Sequence, residues 1–140
     1  ADIIVASEDA QFFDPHVSYG MVAALEPIGL AHRIPIGEVL RMVLLGLDER
    51  MSAKRAYEIG FVSEIVARDA LWDRAQQLAE RIAAKPPAAI QGSIRAIWAS
   101  KDRTRSHALA AGMMYTDLGN PIGLAQVDRS QVPTRDYEVR

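Results

Sequence analysis

From Asp2 to Ala6 the chain reads DIIVA, a run rich in β-branched residues that predicts a buried strand, and AQFF at residues 10–13 predicts a second, shorter one. FVSEIV at 61–66 is the third run of this type. Elsewhere apolar positions recur at helical spacing. In GEVLRMVLLG, Val39, Leu40, Val43 and Leu44 share a face and Gly46 can end the helix. Ser52 as N-cap and Gly60 at C′ bracket a short helix just before the third strand. Asp69 predicts the cap of the next helix, with Leu71, Ala75, Leu78 and Ile82 on one face, and Lys85-Pro86-Pro87 breaks it. Those prolines suit the first turn of a following helix, whose stripe of Ile90, Ile94, Ile97 and Trp98 reads as core. A weaker helix over about 104–118 carries Gly112, which costs about 1 kcal/mol against alanine, and GNPIG predicts its end. The tail DRSQVPTRDYEVR is polar and is expected to be mobile unless a partner holds it.

These elements make an α/β chain, mostly helical with two or three short strands. A strand buried on both faces needs neighbours for its backbone, so the sheet looks incomplete. With 140 residues, 49% hydrophobic and 24% charged, the chain has room for one domain with a real core. Sixteen basic and eighteen acidic residues, interspersed, give a net charge of −2 and no footprint for nucleic acid or an anionic membrane. There are no cysteines, which removes disulfides, thiolate metal sites and a cysteine nucleophile and suits a cytoplasmic location. The three histidines, His16, His32 and His107, lack metal-motif spacing. No apolar run approaches the roughly 18 residues of a membrane span, and the ADIIVAS opening has neither a basic n-region nor a methionine, so no signal peptide is expected.

The chemistry concentrates in FFDPHVSYG, residues 12–20. Proline fixes its own φ and pushes the preceding residue into extended backbone, so Asp14-Pro15-His16 is a stiff presentation of an imidazole. An imidazole's ordinary pKa suits proton transfer at neutral pH, but a loop histidine bonded to nearby backbone fits the same residues. Asp14 reads as a turn former or as a functional carboxylate. Glu26 follows an apolar stretch and precedes Pro27, so it is either an ordinary exposed glutamate or a carboxylate whose apolar setting makes it a usable acid. Gly20 and Gly29 allow close backbone approach to a ligand without forming a phosphate loop, and His32-Arg33 reads as a solvated helix end.

Two stretches together, ADIIVASEDAQFFDPHVSYG and DERMSAKRAYEIGFVSEIV, resemble the enoyl-CoA hydratase/isomerase (crotonase) superfamily in order and spacing. Gly46, Ala53, Ala56, Gly60, Phe61 and Val62 fall on a helix–strand segment that recurs there, and the likeness runs on through the double proline. The resemblance implies a crotonase-like spiral fold of which this chain is the C-terminal half, residues 1–85 ending the spiral core and 86–140 forming a helical assembly region. It implies that a missing N-terminal half holds the CoA-binding segment, the first catalytic glutamate and both oxyanion N–H donors, each worth about 2.7–4 kcal/mol in the transition state. It also implies an acyl-CoA substrate, no cofactor beyond the coenzyme A of that substrate, and a homo-trimer or hexamer assembled through the later helices, in which the stripe Ile90, Ile94, Ile97 and Trp98 and the helix near Met113 and Met114 mix core with subunit contacts.

His16 then stands where hydratases carry their second acid/base glutamate, after the proline of F-x-x-P-E, a departure that puts plain hydration in doubt. Other members place a carboxylate further on, and Glu26 is the candidate substitute. The resemblance thus implies His16, Glu26 and Asp14 as catalytic residues, with Phe13, Tyr19, Gly20 and Val22 lining the substrate. Three expectations follow: an acyl-CoA enzyme, a catalytically incomplete fragment with an assembly role, and one half of a split protein whose strand edge pairs with the other.

Overall fold

The computed structural model describes residues 1–132 and Val139; most of the polar tail, and with it the end of the 86–140 assembly region, lies outside the described residues. The chain divides into two compact units, Ala1–Gln77 and Leu78–Arg140.

In the first unit, β1 (Val5–Ser7) pairs in parallel with β4 (Glu64–Val66), Ala6 standing opposite Ile65. β2 (Gln11–Phe12) pairs antiparallel with β3 (Met51–Ser52). Of FVSEIV, Glu64–Val66 form the strand and Ser63 gives its N–H to the Ile4 carbonyl at 2.8 Å, whereas Phe61 and Val62 turn back to give their N–H groups to the Ala56 carbonyl. β3 shows no periodicity in the sequence; it exists because Phe12 and Gln11 find partners there.

Three helices flank these strands. α1 (Leu25–Ala31) packs against α2 (Ile36–Leu45), and α3 (Ala53–Glu58) leads from β3 toward β4. α3 starts as its sequence predicts: the Ser52 hydroxyl accepts the Arg55 N–H at 3.1 Å, and Gly60 follows the last turn. Its alanines, Ala53 and Ala56, one turn apart, are fully buried with Ala6 and Val62. Phe12 and Phe61 close the cluster edge-to-face at 5.2 Å. Ser52→Ala leaves the Arg55 amide without its acceptor and is expected to cost about 1 kcal/mol, read from the urea midpoint.

α2 departs from expectation on its apolar face. Val39 is buried, but Leu40 is 50% exposed and Leu44 68%. A short turn, Arg68–Ala70, leads into α4 (Leu71–Ala83), so Asp69 sits inside that turn instead of capping the helix. Arg74 of α4 grips Glu64 of β4 with both arms, at 2.7 and 3.1 Å, where both side chains are largely covered.

In the second unit, α5 (Pro87–Ala99) opens on the predicted proline and α6 (Arg105–Ala125) returns antiparallel to it. α6 does not end at GNPIG but runs through Pro121. A proline inside a helix gives up one hydrogen bond and crowds the turn before it. Here Gly119 and Gly123, on either side of it, lie against Ala88 and Ala89 of α5, and that close packing carries the helix past the break. Ile94, Ile97 and Trp98 are not core: they are 39%, 64% and 39% exposed. Among the described residues, no helix is long and apolar enough to cross a membrane.

Candidate active site

Phe12 ends β2, and the chain then turns sharply at Asp14-Pro15 into a single helical turn, His16–Tyr19. Pro15, with φ −88° and ψ −8°, brings the His16 amide back onto Asp14. Asp14 Oδ1 accepts this N–H at 2.9 Å and is 2.7 Å from Nδ1 of the same histidine. Asp14 is 8% exposed, whereas the His16 side chain retains 31%. Burial works to raise the Asp14 carboxyl, but the two hydrogen bonds from His16 and its charge outweigh that, and the net effect is a pKa below the ordinary 3.8.

The depressed value sets a pH dependence. The carboxylate's contribution to stability is present in full above the unfolded value and is lost as pH falls through 3.8 toward the lower folded one. Asp14→Asn is therefore expected to be less stable than wild type at neutral pH, with the gap shrinking below about pH 4, measured by urea denaturation across that range.

The turn ends at Gly20, which adopts φ +72°, a left-handed conformation that a Cβ would disfavour. Within it, the Ser18 hydroxyl accepts the Leu47 N–H at 2.9 Å, tying the His16 turn to the residues just after α2. This tie runs over Gly46, which is buried at φ +56° and ψ −118° and so close that an added Cβ would lie 2.2 Å from Ser18 Oγ. Gly46 is visible in the sequence only as a helix stop; its role as the floor under the His16 turn comes from the three-dimensional approach.

The other proposed site residues are placed differently. Phe13 lies under the Arg50 guanidinium, 3.6 Å from ring centroid to Cζ, and Arg50 is steadied by the Leu47 and Glu49 carbonyls. Tyr19 and Val22 are 66% and 86% exposed. Glu26 is in the first turn of α1 and exposed, so of its two readings the described residues match the ordinary exposed glutamate and do not supply the apolar setting of the other. His32 ends α1 at an exposed position, as a solvated helix end would. Among the described residues, Asp14 and His16 are thus the catalytic candidates whose side chains are brought into direct contact, while the Gly20 N–H meets the His16 carbonyl.

Beside β2 and β3 lies a cavity of about 300 Å³, walled by Phe12, Met42 and Met51 and rimmed by charged pairs. Arg41 binds Glu49 through both arms, and Arg55 binds Glu38 and Glu58. The sequence gives no signal for it, because its walls come from β2, α2, the following loop, β3 and α3. Among the described residues no cluster of three or more histidine and acidic side chains could hold a metal.

Residues 1–120 match the family profile described as enoyl-CoA hydratase/isomerase. The chain is 33% identical over 118 residues to the (E)-benzylidenesuccinyl-CoA hydratase of Thauera aromatica, covering 84% of this chain and 44% of that protein. It is 35% identical over 91 residues to a carnitinyl-CoA dehydratase of Salmonella agona, covering 64% and 34%. Among solved structures, an enoyl-CoA hydratase/isomerase from Mycobacterium paratuberculosis superposes with TM-score 0.83 at 37% identity, over 93% of this chain and 49% of that one. An enoyl-CoA hydratase from Mycobacterium tuberculosis gives 0.76 at 33%, over 82% and 45%. The chain spans less than half the length of these curated relatives and about half of these solved chains.

Proposed function

The chain belongs to the enoyl-CoA hydratase/isomerase family, and from that premise we propose that it acts on an acyl-CoA thioester through a stabilised enolate, with His16 moving the proton. Its fold is crotonase-like, mostly helical with few short strands. The observation that supports His16 is its contact with a buried carboxylate, 2.7 Å from Nδ1 to Asp14 Oδ1, which is how a general base is held in one orientation. In the reaction the Cα–H bond breaks, its electron pair moves toward the thioester oxygen, and the proton goes to the imidazole. The proton then returns at the γ-carbon, for an isomerisation, or goes to a β-hydroxyl that leaves as water when its Cβ–O bond breaks, for a dehydration; a hydration runs the same steps in reverse, water adding at Cβ and the imidazolium giving its proton to Cα. The (E)-benzylidenesuccinyl-CoA and carnitinyl-CoA of the relatives are both CoA thioesters, which supports the substrate class.

Phe13, Tyr19, Gly20 and Val22, which flank His16 in sequence, are proposed to meet the acyl group, and Glu26 is the substitute carboxylate against which the role of His16 is tested. The whole protein is proposed to be a cytoplasmic trimer or hexamer, assembled through residues 86–140.

A second reading is favoured by the apolar surface: Val22, Leu25, Leu44 and Leu118 are each 68% exposed or more. On this reading the chain is catalytically incomplete by itself and works joined to another polypeptide, such as an N-terminal half of the fold. Incubating the chain with crotonyl-CoA, and with butyryl-CoA in D2O, separates the two. Turnover, or deuterium at the α-carbon by mass spectrometry, supports the first. A folded chain that produces neither overturns it and leaves the second.

A further inference from the structure

One oxygen does two jobs in the Asp14–Pro15–His16 turn. Oδ1 takes the His16 backbone N–H at 2.9 Å, which is the turn-forming bond of an aspartate two residues ahead of its donor. The same atom lies 2.7 Å from His16 Nδ1. A carboxylate oxygen can only accept, so the ring hydrogen of a neutral His16 belongs on Nδ1 and the lone pair on Nε2. The contact also fixes the ring in space, because backbone amide and imidazole are both anchored to one buried atom. With Nδ1 taken up by a side chain that is 8% exposed, the access implied by the ring's 31% exposure is to the rest of the imidazole.

Resting on the reading of His16 as the proton carrier, we propose that Asp14 is a positioning residue that locks His16 in the Nδ1–H tautomer, making Nε2 the atom that exchanges a proton with the acyl-CoA substrate. The Nε2 lone pair forms the new N–H bond as the substrate Cα–H bond breaks, and the Asp14 carboxylate then faces an imidazolium through its Nδ1–H. Asp14 itself gains no proton at any step.

The test is the long-range 15N–1H NMR spectrum of the labelled chain at about pH 8, where an ordinary imidazole is neutral. His16→Gln identifies which of the three histidine patterns is His16. The expected result is a pattern with Nδ1 protonated and Nε2 bare. In Asp14→Ala the pattern is expected to revert to the Nε2–H form that unconstrained imidazoles favour, with His32 and His107 unchanged. A wild-type His16 in the Nε2–H form overturns the proposal, as does an Nδ1–H pattern that survives in a folded Asp14→Ala chain. Should the alanine chain not fold, the wild-type pattern alone decides. Because no substrate is present, the outcome is independent of turnover: the locked tautomer in an inert chain sinks only the proposed activity, and turnover with the other tautomer sinks only the role of Asp14.

Discussion

Gly46→Ala is expected to destabilise the chain by about 2–6 kcal/mol, seen as a lower urea midpoint with little change in slope. Two independent costs combine. The residue sits at φ +56° and ψ −118°, a region nearly closed to residues with a Cβ, at about 1–3 kcal/mol. The new methyl would also meet Ser18 Oγ at 2.2 Å and Val17 Cγ2 at 3.3 Å, and overpacking of this kind costs about 1–3 kcal/mol. Relief by rotating Ser18 forfeits its bond from the Leu47 amide. The double variant Ser18→Ala/Gly46→Ala tests this division: it should recover the steric part and leave the backbone part. A Gly46→Ala chain as stable as wild type would show that the turn and the end of α2 are not in contact as described.

His16→Ala is expected to lower turnover, or α-proton exchange, by about 10²–10⁴-fold, the range over which a positioned acid or base contributes. Binding of the thioester should change little, because the imidazole acts on the proton in transit, so the loss should appear in kcat with KM nearly constant. The fold should survive: His16 keeps its backbone N–H to Asp14 Oδ1, and only the ring bond is lost. Glu26→Ala, at an exposed position of α1, is the control on the rival carboxylate. If both substitutions reduce the rate equally, the assignment of proton transfer to His16 fails.

What the sequence disclosed was chemistry confined to a few neighbouring residues. The Ser52 cap, Gly60 after α3, the turn at Gly46 and the Pro87 start of α5 each depend on one residue's own backbone preference or a bond spanning three positions. The stiff turn at Asp14-Pro15 was legible for the same reason, but the ring contact was not, since it depends on how the His16 side chain rotates. Pairs that join distant segments left no local trace. β2 and β3 are two residues each, and their pairing spans some forty positions of chain. Pro121 was misread because the usual rule for an interior proline gives way where two helices meet through small side chains. Periodicity identified the apolar faces of α2 and α5 correctly as helical faces; it could not say that Leu44 and Ile97 would be left uncovered.

The shared use of Asp14 Oδ1 has a consequence for motion. A histidine held only by its ring can swing between rotamers on the nanosecond scale while its backbone stays still. Here the ring and the peptide N–H hang from the same oxygen, so a fluctuation that draws Oδ1 away loosens both at once. Reorientation of the imidazole is thereby slaved to uncoiling of the loop, and the two should relax with a single, slower rate.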